Sequence, residues 1–192
     1  MLIDLIKKNR SYRRFAENTK IELNQLLSLV DAARFSPCAA NLQKLKFYLS
    51  YESVDNDKIF DNLNWAGYLR YWHGPETGER PCAYILIIAP EVSTKHHHVD
   101  AGIAAQSILL CATEMGLGGC ILASMNKEII QNTLLLPEDY EIVVAIALGK
   151  PSETVVLEEV IDPDDIEYWR DTEGVHHVPK RSLKDILIHP TL

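Results

Sequence analysis

Arginine is concentrated in one short stretch of this chain. Asn9-Arg10-Ser11-Tyr12-Arg13-Arg14-Phe15 carries three guanidinium groups and a serine hydroxyl within seven residues. Further along, Ser36 to Gln43 reads SPCAANLQ, with the amides of Asn41 and Gln43 close behind Pro37, Cys38 and Ala39. Guanidinium forks, hydroxyls and backbone N–H groups hold a phosphate ester through charge-assisted contacts. Asn and Gln side chains, donors and acceptors at once, suit the polar edge of a heterocycle. The two segments together point to a phosphorylated ring cofactor rather than a peptide or a nucleic-acid strand.

Each candidate also admits a plainer role. Lys7, Lys8 and Arg10 at the end of a helix can complement its dipole, and Arg13 and Arg14 can form a solvated turn. Ser11 can cap that turn, and SPCAANLQ can be a helix stop with a loop behind it. Gly116-Leu117-Gly118-Gly119 is commonly a helix C-cap, although glycines also let backbone approach a flat ligand closely. Lys180 and Arg181 read by themselves as surface charge. The aromatic run Trp65–Trp72 is either loop packing or a stacking platform. His96, His97 and His98 are adjacent and cannot all face one ion, so no metal site is expected there or at His176-His177. No G-x-G-x-x-G, G-K-[ST] or G-x-S-x-G pattern occurs, which removes support for a phosphate loop or a serine hydrolase.

These residues must be positioned by a chain of 192 residues, enough for one domain with a sizeable core. The pattern predicts helices over Leu2–Lys8, Ile21–Phe35, Val54–Leu63, Asp100–Met115 and Asn126–Leu134, with Asn126 as an N-cap. It predicts strands over Leu45–Tyr51, Cys82–Ala89 and Tyr140–Leu148; the last two are continuous apolar runs, as in central strands buried on both faces. Ala66–Pro81 reads as an irregular aromatic loop. Asp100–Met115 is apolar on nearly all sides and needs cover from the core or a second subunit. Beyond Pro151 the period is lost: Val155–Ile161 reads as extended, the acidic stretch after it has too few apolar residues for a core, and Leu183–Ile188 looks like an arm.

The net charge is −8 and unevenly spread. Residues 152–173 hold nine acids against Arg170 alone, whereas residues 1–51 hold nine bases and four acids. That balance argues against nucleic-acid binding and for a small anion at the basic end. The longest apolar runs are too short to span a bilayer, and MLIDLIKKNR lacks a signal-peptide layout, so a cytoplasmic protein is expected. Cys38, Cys82, Cys111 and Cys120 form no CxxC pair and are expected as small apolar residues in a reducing compartment.

Taken in order, NRSYRRF, SPCAANLQ, ERPCAYILI, DAGIAAQSILL, GLGG, IALGKP and VPKR resemble the FMN-dependent nitroreductase family over nearly the whole chain. The resemblance implies an α+β fold: a central, mostly antiparallel sheet flanked by helices, in an intertwined homodimer with FMN at the interface. The chain would be one nitroreductase-like domain, with residues 1–151 as core and 152–192 as a C-terminal arm. Arg10 and Ser11 would hold the FMN phosphate together with Lys180 and Arg181. Arg13 would lie near the ring's pyrimidine edge, where a cation stabilises the reduced anion. Pro37, Cys38, Ala39, Asn41 and Gln43 would line the cofactor, and Gly118 and Gly119 would bring backbone N–H groups to the ring. Asn9, Cys38 and Lys44-Leu45 depart from the residues common in the family: arginine, serine and Pro-Trp. The implied activity is ping-pong transfer of hydride from NADH or NADPH to a small acceptor such as a nitroaromatic or a quinone, with no catalytic side chain required. The alternatives are a non-catalytic flavin-binding or sensor protein, or other flavin chemistry such as reductive dehalogenation.

Overall fold

The buried strands expected at the centre of the chain are there, and the rest of the architecture is organised around them. In the computed structural model, which describes residues 1–90 and 96–188, the chain divides into two units. The first comprises Met1–Trp65 and Gly74–Ser152; the second comprises Ala66–His73 and Glu153–Leu192.

The first unit contains α1 (Leu2–Lys8), α2 (Leu23–Arg34), β1 (Lys46–Ser50), α3 (Ser53–Phe60), β2 (Ala83–Pro90), α4 (His97–Glu114), β3 (Gly118–Leu122), α5 (Lys127–Thr133) and β4 (Tyr140–Gly149). The four strands form one antiparallel sheet in the order β1-β2-β4-β3. β2 and β4 are its inner strands, which is why their sequences are apolar without alternation. The residues Ile85, Ile87, Ile146 and Leu148 share a core with Leu26 and Leu29 of α2 and with Ala105 and Ile108 of α4. α3 and α5 also pack on the sheet, through the fully buried Ile59 and Ile130.

Helix boundaries differ from the sequence pattern where caps decide. α2 starts at Leu23 rather than Ile21, because Glu22 is extended and its N–H donates to Gln25 Oε1 at 2.9 Å. α3 ends at Phe60, and α4 begins three residues before Asp100. Asn126 caps α5 as expected, its Oδ1 accepting from Ile129 N at 3.3 Å. Residues 66–81 contain neither helix nor strand. One face of α4 is buried, while Val99 on the other side is 62 % exposed and Ile103 and Leu110 are half-buried. Among the described residues, no helix is long and apolar enough to cross a membrane.

The sequence pattern did not anticipate β3. Its first two residues are glycines, which weaken a strand on propensity, yet the packing leaves no room for a side chain. A Cβ on Gly119 would meet the Ala147 carbonyl oxygen and lie 2.8 Å from Leu109 Cδ2; one on Gly118 would lie 2.6 Å from the Tyr12 ring. The helix-stopping function belongs instead to Gly116, at φ +77°.

In the second unit, β5 (Val155–Glu159) pairs in parallel with β7 (His176–Lys180), which pairs antiparallel with β6 (Trp169–Arg170). A short helix, α6 (Leu183–Ile186), follows. The acidic stretch therefore does build structure. Rings stand in for the missing aliphatic residues: Tyr68 meets Tyr168 edge-on at 4.9 Å, Trp169 stacks on His177 at 4.8 Å, and Arg170 lies over Trp72 at 4.7 Å. Arg170 also pairs with the nearly inaccessible Glu153 at 2.9 Å.

Candidate functional site

The arginine-rich segment is fixed by backbone bonds to the ends of two strands. Ser11 bridges to Gly119, and Tyr12 N donates to Gly119 O at 3.0 Å. Ala16 N donates to Lys150 O at 2.8 Å, and Ser152 N donates to Arg14 O at 3.0 Å. Phe15 is fully buried against Gly149, where an added Cβ would lie 2.7 Å from the ring. Arg10 and Ser11 are thereby placed beside Gly118 and Gly119, segments more than a hundred residues apart in sequence.

The three arginines have different surroundings. Arg14 Nε pairs with Glu79 Oε2 at 3.1 Å, so its charge is already met. Arg13 Nη1 donates to Ser11 O at 3.3 Å. Arg10 Nη2 donates to Ile6 O at 2.8 Å, while its Nε is buried without a hydrogen-bond partner. No carboxylate among the described residues pairs with Arg10, and burial pulls its pKa below the ordinary guanidinium value. A partly desolvated cation without a counter-ion is held in a state that an anion would stabilise.

The second segment is a tight loop. Ala39–Asn41 makes one turn of 3₁₀ helix, and Ala40, Asn41 and Gln43 have φ of 48°, 54° and 49°. Such left-handed conformations in non-glycine residues cost about 1–3 kcal/mol each and persist where the surroundings enforce them. The enforcing group is Asp100, in the first turn of α4. Its carboxylate is buried and accepts from Ala39 N at 2.9 Å. Ser36 and Ser107 hydroxyls meet at 2.6 Å, tying the start of the loop to the same helix. Gln43 N donates to Cys38 Sγ at 3.4 Å, and Gln43 Nε2 donates to Asn41 O at 3.4 Å. A cleft of about 220 Å³ is bordered by Pro37, Cys38, Gln43 and Asp100, with Phe47 and Ala104 among its apolar walls. Pro37, Asn41 and Gln43 are exposed; Cys38 and Ala39 are half-buried.

The absent side chains at Gly118 and Gly119 have a protein-internal explanation, since their Cβ space is filled by Tyr12, Pro151, Leu109 and β4. Lys180 and Arg181 belong to the second unit. Lys180 ends β7, and Arg181 donates from Nε to Pro163 O at 2.6 Å and faces Asp164 at 3.6 Å. Sequence reasoning missed Asp100 as a loop anchor. Its signal was a single acid opening an otherwise apolar helix. His97 Nε2, at the start of that helix, lies 3.1 Å from Glu141. Cys120 is buried and the other three cysteines are half-buried thiols.

Residues 6–150 match the Nitroreductase family, and the chain belongs to that family. Its fold is similar to that of a nitroreductase family protein from Clostridium novyi NT (22% identity, 98% of this chain and 99% of that one, TM-score 0.67). It is likewise similar to an FMN-dependent nitroreductase from Clostridium difficile R20291 (22% identity, 86% and 94% covered, TM-score 0.66). A third likeness is to an NADPH:FMN oxidoreductase from Vibrio harveyi, solved in complex with NAD+ (23% identity, 79% and 69% covered, TM-score 0.63).

Proposed function

We infer that this chain is a flavoprotein oxidoreductase that binds FMN and takes its electrons from NADH or NADPH. The observation that carries this reading is Arg10: a guanidinium partly buried, held by a hydrogen bond to the Ile6 carbonyl, and paired with no carboxylate among the described residues. A phosphate monoester is the anion that Arg10 and the exposed Ser11 hydroxyl fit together. Lys180 and Arg181 are included in the proposal as further phosphate ligands. Pro37, Cys38 and Gln43 border the cleft, and Ala39 and Asn41, on the same loop that Asp100 holds in place, are included in the proposal as further contacts to a heterocycle. Arg13 is the cation assigned to its polar edge, with Gly118 and Gly119 supplying backbone donors.

When bound, FMN supplies a ring able to accept hydride from a nicotinamide and to pass electrons to a second substrate. The side chains are left to bind, orient and tune. Nitroaromatics and quinones are the acceptors proposed, and the cytoplasm the compartment. The chain is read as a single functional domain acting in a homodimer, residues 152–192 serving as an arm. The exposed Leu2 and Ile3 on α1 and Val99 on α4 favour a second copy as cover.

Purification tests this directly. A yellow protein, bleached anaerobically by NADH or NADPH and recoloured by a quinone or nitroaromatic, is the expected result. A colourless protein that FMN cannot reconstitute would contradict it. Bound FMN without nicotinamide oxidation would favour the non-catalytic, sensor-type alternative.

A further inference from the structure

A second and larger cavity, of about 390 Å³, lies in the first unit and is lined by no residue of the Asn9–Phe15 segment or the Pro37–Gln43 loop. It sits where the starts of α2, α3 and β2 meet, with Tyr84 and Cys82 deep in it and Glu22, Glu52 and Asp57 exposed around it.

Tyr84 is 1 % exposed and lines the cavity, and no hydrogen bond joins its hydroxyl to the described residues. A buried phenol normally finds one. Tyr84 lines the cavity together with Glu17, Asp57, Arg80 and Cys82, which places its hydroxyl among their polar groups. Burial drives its pKa well above the ordinary value, and it remains a donor.

The neighbouring groups are organised and already satisfied. Asn56 accepts from Ser50 Oγ at 2.8 Å and donates to Cys82 O at 2.9 Å. Glu17 accepts from the backbone N–H groups of Gly78 and Arg80. Cys82 Sγ donates to the carbonyls of Ala16 and Glu17 at 3.5 and 3.6 Å, and burial raises its pKa, so it is neither nucleophile nor anion. Arg80 lies 4.2 Å over the Phe60 ring, with only a loose approach of 3.6 Å to Asp57. The free capacity is therefore a hydroxyl donor and a guanidinium inside, with carboxylates around the opening. Glu17, Glu22, Glu52 and Asp57 outnumber Lys20 and Arg80. A simple anion would be repelled by that excess, whereas a simple amine would leave Tyr84 unsatisfied.

We propose that this cavity binds an α-amino acid with a cationic side chain, its carboxylate meeting the Tyr84 hydroxyl and Arg80 and its ammonium groups facing the surrounding acids. The site is independent of the flavin reading and uses none of its residues.

Titration calorimetry of the purified full-length protein with L-arginine and L-lysine tests the proposal. Agmatine (arginine without its carboxylate) and L-glutamate serve as controls. The expected result is saturable one-to-one binding of L-arginine or L-lysine, with agmatine and L-glutamate each at least about tenfold weaker. Tyr84→Phe removes only an unpartnered hydroxyl, so it should fold normally, keep its flavin content and bind about tenfold more weakly. Arg80→Gln should weaken binding in the same direction. Absence of saturable heat with both amino acids would overturn the proposal. So would agmatine matching L-arginine, which would reduce the site to an acidic surface, or a Tyr84→Phe protein that binds like wild type.

Discussion

Replacing Asp100 by alanine is the perturbation that most sharply separates a positioned loop from a merely present one. The carboxylate accepts from Ala39 N at 2.9 Å and is buried, so the alanine variant leaves that N–H without its acceptor. A hydrogen bond to a charged group contributes about 1.5–3 kcal/mol. Three left-handed residues in the next four positions depend on that anchor, since Ala40, Asn41 and Gln43 all have positive φ. Released, the loop relaxes to ordinary backbone, and a ligand must then re-order it at a cost of similar size. FMN affinity should therefore fall by about 10- to 150-fold, the same free energy expressed as a ratio. Flavin fluorescence titration of reconstituted protein measures this, with the urea midpoint as a parallel readout of stability. Asp100→Asn, which keeps a neutral acceptor, should lie between wild type and the alanine variant. FMN binding within twofold of wild type in Asp100→Ala would refute the claim that Asp100 sets the loop.

Other outcomes follow from the same geometry. Gly119→Ala forces a methyl against the Ala147 carbonyl and Leu109, and overpacking of this kind costs about 1–3 kcal/mol; an unchanged thermal midpoint would show that β3 has slack there. His177 lies 2.7 Å from Glu158 and 3.2 Å from Asp171, and these hydrogen bonds, Glu158 foremost, raise its pKa above 6.5. Its contribution to the small sheet is therefore full below pH 6.5 and is lost as pH rises through the raised value. Hydrogen exchange across 155–180 should show weaker protection on the alkaline side, and Glu158→Gln should flatten that dependence; stability rising with pH over that range would be the opposite sign. Arg181→Ala should weaken FMN retention while leaving the first unit folded, as read from flavin content after gel filtration.

The strands β2 and β4 were legible in the sequence because an inner strand covered on both faces needs no alternation, and few other elements yield seven consecutive apolar residues between prolines and glycines. β3 was illegible for the converse reason. Its glycines are selected by the Tyr12 ring and the β4 backbone, atoms far away in sequence, and read locally they signal only a helix end. The basic segment announced anion chemistry through its composition. Which arginine is committed elsewhere depends on tertiary partners: Glu79 pairs with Arg14, whereas no carboxylate among the described residues pairs with Arg10. Asp100 showed locally only as a lone acid opening an apolar helix, which reads as a complement to the helix dipole; its role as an anchor depends on Ala39 N, 61 positions away. The acidic tail misled in a different way: counting aliphatic residues missed a sheet sustained by tyrosine, tryptophan and histidine rings.

One measurement bears most directly on the phosphate-binding role of Arg10: the affinities of FMN and of riboflavin, compared in wild type and in Arg10→Ala. The two ligands differ only by the phosphate. Wild type should prefer FMN strongly, and Arg10→Ala should remove about 10- to 150-fold of that preference while leaving riboflavin binding nearly unchanged. Equal affinity of the wild-type protein for FMN and riboflavin would contradict the assignment outright.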